Sequence, residues 1–227
     1  MINKIINADC FDILKDIPNN SIDLCLTDPP YQMHMSGAGF AKKRNIYKEI
    51  SHYTNTDNDF YNDDFLDILV SKCKFPNVFL FCGKNDLPKI LNYAIKNKYF
   101  YFILPLCKKN PMPFINNTWL SNEFSVHFTD RRILCSKDYS IKIPYFITGN
   151  EKQTKHPNEK NINDVKKVII NLTNEGNTVL DCFSGSGSVA IACHELKRNF
   201  ICIEKDEQYY KESNKRLLTI QNQPTLF

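Results

Sequence analysis

The sequence predicts an α/β fold of the Rossmann-like type, with a mostly parallel sheet in circularly permuted strand order. Three observations predict it. Short apolar runs alternate with amphipathic stretches along most of the chain, which is typical of parallel strands covered by helices. A glycine-containing turn follows an apolar run at 178–187. Only one further apolar run follows that turn, so the amino-terminal half must supply the strands that complete the sheet.

The individual elements follow from the spacing of the apolar residues. Six apolar runs are predicted to be strands: 4–7, 22–27, 78–82, 100–106, 178–182 and 199–203. Helices are predicted around Phe11, Ile13 and Leu14 and over 60–73, 86–96, 165–172, 188–196 and 207–218. Two short apolar pieces, 124–128 and 131–135, could pair with each other as a hairpin.

Length and composition are those of a single domain that spans residues 1–227. The hydrophobic fraction of 42% is enough to fill a core in a chain of 227 residues. Two stretches lack a sustained period. We expect the polar segment at 32–59 to be a mobile loop and the segment at 107–150 to be a small insert.

The net charge of +4 is distributed unevenly along the chain. Residues 98–160 contain ten lysines and arginines against five acidic residues, whereas the segments on either side are close to neutral. A basic middle segment indicates a surface that faces a polyanion, although solvated loops would give the same count.

The nine cysteines show no CxxC pair and no spacing with histidine that suits zinc. Some of them, such as Cys25 and Cys202, stand within apolar runs, where a thiol packs as a small hydrophobic group. We therefore predict no metal site and a reduced, cytoplasmic protein. No apolar run approaches the ~20 residues of a membrane span, so no membrane association is expected.

Asp28, Pro29, Pro30 and Tyr31 directly follow the predicted strand 22–27. Open α/β sheets bind ligands at the carboxyl ends of their strands, although two prolines can also simply end a strand. The Asp28 carboxylate and the Pro29 carbonyl are two acceptors that can hold the N–H groups of an aryl amine. Such an amine needs help to attack a methyl group, because its lone pair is delocalised into the ring. Tyr31 offers a flat face for stacking an extruded base.

A second motif joins the predicted strand 178–182 to the helix that follows it: Asp181, Cys182, Phe183, Ser184, Gly185, Ser186 and Gly187. Glycines let the backbone approach a ligand closely, and a helix N-terminus favours a carboxylate. Glu204 ends the next strand, where an acid can bond ribose hydroxyls. The glycines also match the GxGxxA dinucleotide fingerprint, so a nicotinamide-dependent dehydrogenase is an alternative.

The two motifs, in this order, resemble those of the β-class DNA amino-methyltransferases, in which the catalytic motif precedes the cofactor motif. The resemblance covers most of the chain and weakens at 32–60 and 107–150. It implies a circularly permuted class I methyltransferase fold with a target-recognition insert at 107–150. It also implies S-adenosylmethionine as the cofactor and methylation of an exocyclic amine in duplex DNA.

The resemblance further implies roles for individual residues. Asp28, Pro29, Pro30 and Tyr31 correspond to the catalytic tetrad. The implied cofactor-binding residues are Asp9, Cys10, Asp28, His156, Asp181, Phe183, Ser184, Gly185, Ser186, Gly187 and Glu204. Within this set, Asp9 corresponds to the acid at the cofactor adenine, Phe183 to the ring over the methionine portion and Glu204 to the ribose acid.

The segment 155–160 resembles the His-Pro-Thr-x-Lys-Pro segment of the family, which lines the methionine end of the cofactor. His156 is its histidine. Asn158 and Asn161 depart from the family pattern, because they stand where the family has Thr and Pro.

Contacts with DNA phosphates are predicted for basic side chains in the two irregular stretches: Lys42, Lys43, Arg44, Lys108, Lys109, Arg131 and Arg132. The expected partner is duplex DNA. The sequence leaves open a monomer or a homodimer, the recognised site, and the existence of a partner restriction enzyme.

The methylated base is open between adenine at N6 and cytosine at N4, because both present an exocyclic amine. Adenine is favoured, since Asp28 is an ionised acceptor that strengthens the hydrogen bond, and since the cytosine enzymes of the resembled family more often carry Ser there. More distant alternatives are methylation of RNA or of a protein glutamine, and a nucleic-acid-binding protein that keeps the fold without the activity.

Overall fold

An eight-stranded sheet forms the centre of the molecule. The computed structural model describes residues 1–30, 59–108, 123–133, 138–142, 145–148 and 159–222. The strands are β1 (Lys4–Asn7), β2 (Leu24–Thr27), β3 (Asn77–Cys82), β4 (Phe100–Lys108), β5 (Glu123–Thr129), β6 (Phe146–Thr148), β7 (Thr178–Asp181) and β8 (Asn199–Glu204). Their order across the sheet is β1-β8-β7-β2-β3-β5-β4-β6. Neighbours pair in parallel except at β5, which is antiparallel to β3 and β4.

Six α-helices connect and cover these strands in the part of the chain that the structure describes. They are α1 (Cys10–Asp16), α2 (Asp63–Lys72), α3 (Leu87–Lys96), α4 (Ile162–Leu172), α5 (Ser188–Glu195) and α6 (Glu207–Gln221). Side-chain caps define where several of them begin, because the first N–H groups of a helix have no partner within it. Asn62, for example, accepts a hydrogen bond from the Phe65 amide at the start of α2. None of the described helices is long and apolar enough to cross a bilayer.

The departure from the family pattern at Asn161 has a local explanation. Asn161 is the N-cap of α4, and its side-chain oxygen accepts a hydrogen bond from the Asn163 amide at 2.8 Å. Proline favours the first turn of a helix by fixing φ, whereas Asn favours the same start by capping it.

The strands and helices predicted from the sequence are confirmed to within a few residues at each end. The predicted permuted order is also confirmed, because β7 lies in the middle of the sheet between β8 and β2. The predicted hairpin is wrong. Residues 124–128 form most of β5, but β5 pairs with β3 and β4, and residues 131–133 belong to no strand. Burial explains the difference. β5 carries buried side chains on both faces, so its backbone N–H and C=O groups lie away from water and need a partner strand on each side.

Helices cover both faces of the sheet, and each face has its own apolar core. Alternate residues along β2 and β3 point to opposite faces. Cys25, Val78 and Leu80 pack with α1, α2 and α3, whereas Leu24 and Phe79 pack with α4, α5 and α6. Strands covered on both faces are almost wholly apolar, and this pattern predicts them from the sequence.

The parallel strands set up one edge of the sheet as the place for a site. The carboxyl ends of β1, β2, β3, β7 and β8 meet along this line, which we call the carboxyl edge. Because β5 is antiparallel, it begins at the carboxyl edge, where Phe124 faces Cys82, and it ends at the opposite edge, where Thr129 faces Asn77. The segment 107–150 thus contributes two strands, β5 and β6, to the sheet itself.

Candidate active site

The two sequence motifs lie side by side at the carboxyl edge, and one side chain joins them. The Thr27 hydroxyl donates to the Asp181 carboxylate at 2.8 Å and accepts a hydrogen bond from the Cys182 amide at 3.1 Å. Thr27 is buried and directly precedes Asp28. The end of β2 is therefore fixed to the glycine turn after β7, which places Asp28 next to that turn.

The Asp28 carboxylate takes part in a cluster of three charged side chains. The Lys160 ammonium lies 2.9 Å from Oδ2 of Asp28 and 3.0 Å from Oε2 of Glu123. It also lies over the ring of Phe81, 5.1 Å from the centroid. Burial would lower the pKa of Lys160, but the charges of Asp28 and Glu123 raise it well above its usual value. Lys160 is therefore a cation in this cluster.

The Pro29 carbonyl, the second acceptor of the tetrad, is held by a buried tyrosine. The Tyr61 hydroxyl lies 3.1 Å from the Pro29 oxygen and 2.9 Å from the Phe81 oxygen, and it can donate to either. Burial, followed by the charge of Asp28, raises the pKa of Tyr61 well above its usual value, so the hydroxyl keeps its proton. A carbonyl oxygen has two lone pairs, so Pro29 retains capacity to accept from a ligand.

The turn after β7 is shaped by backbone hydrogen bonds and by glycine. The Phe183 amide donates to Oδ1 of Asp181 at 3.1 Å. Gly187 adopts φ of +79°, and a Cβ at this position would stand 3.0 Å from the Cβ of Ser213 in α6. A left-handed backbone and a close approach by another helix both call for glycine. Gly185 is left-handed as well, with φ of +49°.

The carboxylate of Asp181 is fully buried beneath this turn. Burial raises its pKa from 3.8 to about 7, against the opposing effect of the hydrogen bonds from Phe183 and Thr27. Asp181 thus links the two motifs, and its burial disfavours the ionised form of its carboxylate.

Two polar groups of the turn have capacity for further hydrogen bonds. The Ser184 hydroxyl is buried beside the Cys202 thiol and has no oxygen or nitrogen partner among the residues that the structure describes. Gly187 is the N-cap of α5 and has no side chain to cap the helix. Helix N-termini with open N–H groups bind carboxylates and phosphates. On the outer side, Arg216 of α6 donates to the Ser186 carbonyl at 3.1 Å and pairs with Glu159 at 2.9 Å.

Glu204 stands at the end of β8 beside the same turn. Its Oε2 accepts a hydrogen bond from the Gly185 amide at 2.7 Å, and its Oε1 accepts one from the Asp206 amide at 2.8 Å. Burial raises its pKa, although these hydrogen bonds oppose the shift. Each carboxylate oxygen has a further lone pair, which suits the two hydroxyls of a ribose.

Asp9 lies on the next strand end, since Asn7 of β1 faces Glu204 of β8. Its carboxylate caps α1 through the Phe11 amide at 2.9 Å and pairs with Lys205 at 2.9 Å. Partial burial acts to raise the pKa of Asp9, but the hydrogen bonds from Lys205 and Phe11 outweigh it and lower the pKa. Cys10 is buried as the first residue of α1, and burial raises its pKa to about 12, so it stays a neutral thiol.

Phe183 projects from the turn into a group of aromatic rings. Its ring meets that of Phe60 edge to face at 4.7 Å, and Phe60 in turn packs against Phe11 and Phe65. These contacts fix the ring of Phe183 beside the glycine turn.

The predicted DNA contacts separate into two places. Lys108 ends β4 at the carboxyl edge, the edge at which Asp28 lies. The side chain of Lys108 lies outside the described part of the chain. Arg131 and Arg132 follow β5 at the opposite edge, about six residues or ~20 Å along the strand from Glu123. Arg131 pairs there with Asp130. Contacts by these two arginines stay a prediction, at a distance from Asp28.

Several predicted site residues fall outside the described residues and are not placed here: Tyr31, Lys42, Lys43, Arg44, Lys109 and His156. Four residues of the site were not predicted from the sequence. Thr27 precedes the tetrad without belonging to it, Lys160 enters only as part of the segment 155–160, and Glu123 and Tyr61 carry no signal at all. A lone acid in a basic segment and a tyrosine before a helix have no motif. Glu123 reaches the site through the pairing of β5 with β3 and β4, and Tyr61 reaches it through its hydroxyl contacts with the Pro29 and Phe81 carbonyls.

Comparisons with known proteins agree with this geometry. A family model described as DNA methylase (N6_N4_Mtase) matches residues 84–215. The Type II methyltransferase M.HinfI of Haemophilus influenzae is 26% identical over 253 residues, which cover 98% of this chain and 70% of that protein.

Two solved structures show the same fold. The structure of the M1.HpyAVI–SAM complex is 26% identical, with a TM-score of 0.72, and the alignment covers 94% of this chain and 99% of that one. The cytosine-N4-specific PvuII DNA methyltransferase has a TM-score of 0.69 at 16% identity, over 96% of this chain and 91% of that one. Since the family model spans more than half of the sequence, the chain belongs to the DNA methylase family of N6-adenine and N4-cytosine methyltransferases.

Proposed function

We propose that this protein is a site-specific DNA methyltransferase that transfers a methyl group from S-adenosylmethionine to N6 of adenine in duplex DNA. One observation carries the proposal. The Thr27 hydroxyl fixes the end of β2, with Asp28, to the glycine turn after β7. An amine-binding carboxylate and a cofactor-binding turn are thereby held next to each other.

The residues at the turn fit S-adenosylmethionine. The buried Ser184 hydroxyl and the N-terminus of α5 suit the carboxylate of its methionine portion. Glu204 suits the ribose hydroxyls, and Asp9 on the adjoining strand end suits the adenine amine. Phe183 supplies an aromatic surface between them. The bound cofactor supplies an electrophilic methyl group on a sulfonium.

Asp28 and Pro29 orient the amine that receives the methyl group. One N–H donates to the Asp28 carboxylate and the other to the Pro29 carbonyl, which draws the nitrogen toward the tetrahedral geometry that it needs for attack. As the nitrogen forms its bond to the methyl carbon, the bond from that carbon to sulfur would break, with its electron pair left on a neutral thioether. The nitrogen becomes cationic and then gives up one proton along its hydrogen bond to Asp28. Catalysis of this kind is positional and electrostatic and requires no covalent enzyme intermediate.

Adenine is the proposed base because of the charge on the acceptor. An ionised carboxylate is roughly twice as strong an acceptor as a neutral group, and the Asp28 carboxylate forms an ion pair with Lys160. The resemblance to adenine enzymes with Asp at this position supports the same choice.

Nucleoside mass spectrometry of duplex DNA methylated in vitro tests the proposal. We expect N6-methyladenine with the wild-type protein and none with Asp28→Ala. Finding N4-methylcytosine and no N6-methyladenine would exclude adenine while leaving the class of enzyme intact. Calorimetry with S-adenosylmethionine and with NAD as a control tests the cofactor, since a dehydrogenase would bind the second.

A further inference from the structure

Three charged side chains from distant parts of the chain meet at the carboxyl edge. Lys160, just before α4, lies 2.9 Å from Asp28 and 3.0 Å from Glu123. The exposed fractions of the three side chains are 12%, 20% and 23%. Charges that are withdrawn from water to this degree interact far more strongly than pairs on an open surface.

The fold brings Glu123 to this point through the direction of β5. Glu123 is the first residue of β5 and faces Leu106 of β4, while the next residue, Phe124, faces Cys82 at the end of β3. In a parallel strand at this position, the first residue would lie at the opposite edge. The antiparallel strand thus delivers an acidic side chain to the carboxyl edge, among the ends of parallel strands.

The charges of these three groups sum to one negative charge. Without Glu123, Lys160 would neutralise Asp28, and the pair would present no net charge to a positive group. The amine becomes positively charged as it accepts the methyl group, so a net negative charge beside it lowers the barrier. Glu123 also gives Lys160 a second, opposed partner, which restricts the position of the ammonium and hence the rotamer of Asp28.

We propose that Lys160 and Glu123 are positioning residues for the methyl transfer. Glu123 acts through Lys160: it holds the ammonium against Asp28 and preserves the net negative charge of the cluster. The inference rests on the proposed role of Asp28 as the acceptor for the amine. It assigns a function in transfer to β5, a strand that contains no recognised motif.

A purely structural ion pair would behave differently from a positioning cluster. It would affect stability and leave the transfer step unchanged once the protein had folded. The matched control is the pair of Lys166 and Glu195, which links α4 to the last residue of α5. Glu195 stands about 10 Å from the start of α5, since a helix rises ~1.5 Å per residue.

The experiment measures kcat, KM for DNA and the calorimetric affinity for S-adenosylmethionine in five variants. They are Glu123→Gln, Glu123→Asp, Lys160→Met, the double variant Glu123→Gln/Lys160→Met, and the control Lys166→Met. We expect Glu123→Gln to lower kcat about tenfold with cofactor affinity within about twofold, because a misplaced catalytic group costs rate and not cofactor binding. Glu123→Asp keeps the charge and should retain most of the rate. Lys166→Met should match the wild type.

The double variant shows whether Glu123 acts through Lys160. In the Lys160→Met background, Glu123→Gln should change kcat by less than about twofold, since its partner is gone. Effects that multiply in the double variant would overturn the proposal, as would a wild-type kcat in Glu123→Gln. If Lys160→Met does not fold, equal rates for Glu123→Asp and Glu123→Gln would overturn it. Activity in Asp28→Ala would instead reject the proposed role of Asp28, whatever these variants show.

Discussion

The carboxyl edge of the sheet is built differently on its two sides. On the cofactor side, formed by β1, β7 and β8, the carboxylates of Asp181 and Glu204 accept backbone N–H groups of nearby loops. On the amine side, formed by β2, β3 and β5, the Asp28 carboxylate pairs with the side chain of Lys160, which pairs in turn with Glu123, 37 residues away in sequence.

The difference indicates which changes each side tolerates. Backbone donors are fixed by the strands and turns that carry them, so the cofactor side persists as long as the fold does. A side-chain cluster depends on the charge of every member, because removing one partner leaves another charge in a poorly hydrated place. We therefore expect single charge changes on the amine side to disable transfer while the cofactor side continues to bind.

The largest expected effect comes from removing the acceptor on the amine side. Asp28→Ala should lower kcat at least a hundredfold, equivalent to ~3 kcal/mol of barrier, because the amine loses the group that orients it. Affinity for S-adenosylmethionine should stay within about twofold of the wild type, since the cofactor side is unchanged. Steady-state kinetics and calorimetry on the same preparation measure both. Activity at a tenth of the wild type would make the tetrad a structural feature only.

The next largest effect concerns the cofactor side. Glu204→Ala should weaken binding of S-adenosylmethionine by at least ~2 kcal/mol, about thirtyfold, through loss of charge-assisted hydrogen bonds to the ribose. The Gly185 amide also loses its partner. Calorimetry provides the measurement, with Glu212→Ala on the exposed part of α6 as a control. Binding within twofold of the wild type would refute the assignment of Glu204.

A smaller effect should appear in the dependence of stability on pH. Burial raises the pKa of Asp181 to about 7, so the folded state binds its proton more tightly than the unfolded state does. The free energy of unfolding should consequently fall as pH rises from about 4 toward 7, and Asp181→Asn should remove this loss.

Urea denaturation of both proteins at about pH 5 and about pH 8 tests the prediction for Asp181. The difference in free energy of unfolding, Asp181→Asn minus wild type, should be at least ~1 kcal/mol larger at about pH 8 than at about pH 5. An unchanged difference would mean that Asp181 ionises at its ordinary pKa. Thr27→Val offers a matched check, because it removes the hydroxyl that donates to the carboxylate.

The smallest effect is expected at the edge of the sheet opposite the site. The slope of log DNA affinity against log salt concentration changes by ~0.9 for each phosphate contact that is lost. Replacing both Arg131 and Arg132 with Ala should change this slope by less than that amount. The reason is their distance from Asp28 along β5. A drop near twice that value would extend the DNA surface to both edges and support the sequence-based prediction for these arginines.

The sequence was most informative where the chemistry is local. The buried strands, the glycine turn and the acid that ends β8 are contiguous or nearly so, and their predicted positions agree with the structure. Pairing of β5 with β3 and β4 could not be predicted, because residues 124–128 carry no sign of which strands they join. The short strand β6 has too few residues for a period to show.

The charged cluster escaped prediction for the same reason. Asp28 belongs to a motif, but Lys160 and Glu123 reach it through an antiparallel strand and the start of a helix. Their types are ordinary for exposed loops in a basic segment. Only their burial and their distances in three dimensions distinguish them.

The most direct test of the two-sided account is single-turnover methyl transfer at increasing concentrations of S-adenosylmethionine. We expect Glu204→Ala to approach the wild-type rate at saturation, because its defect lies in cofactor affinity. We expect Asp28→Ala to stay at least about a hundredfold slower at every concentration, because its defect lies in transfer. Recovery of Asp28→Ala at high cofactor, or failure of Glu204→Ala to recover, would contradict the separation of the two sides.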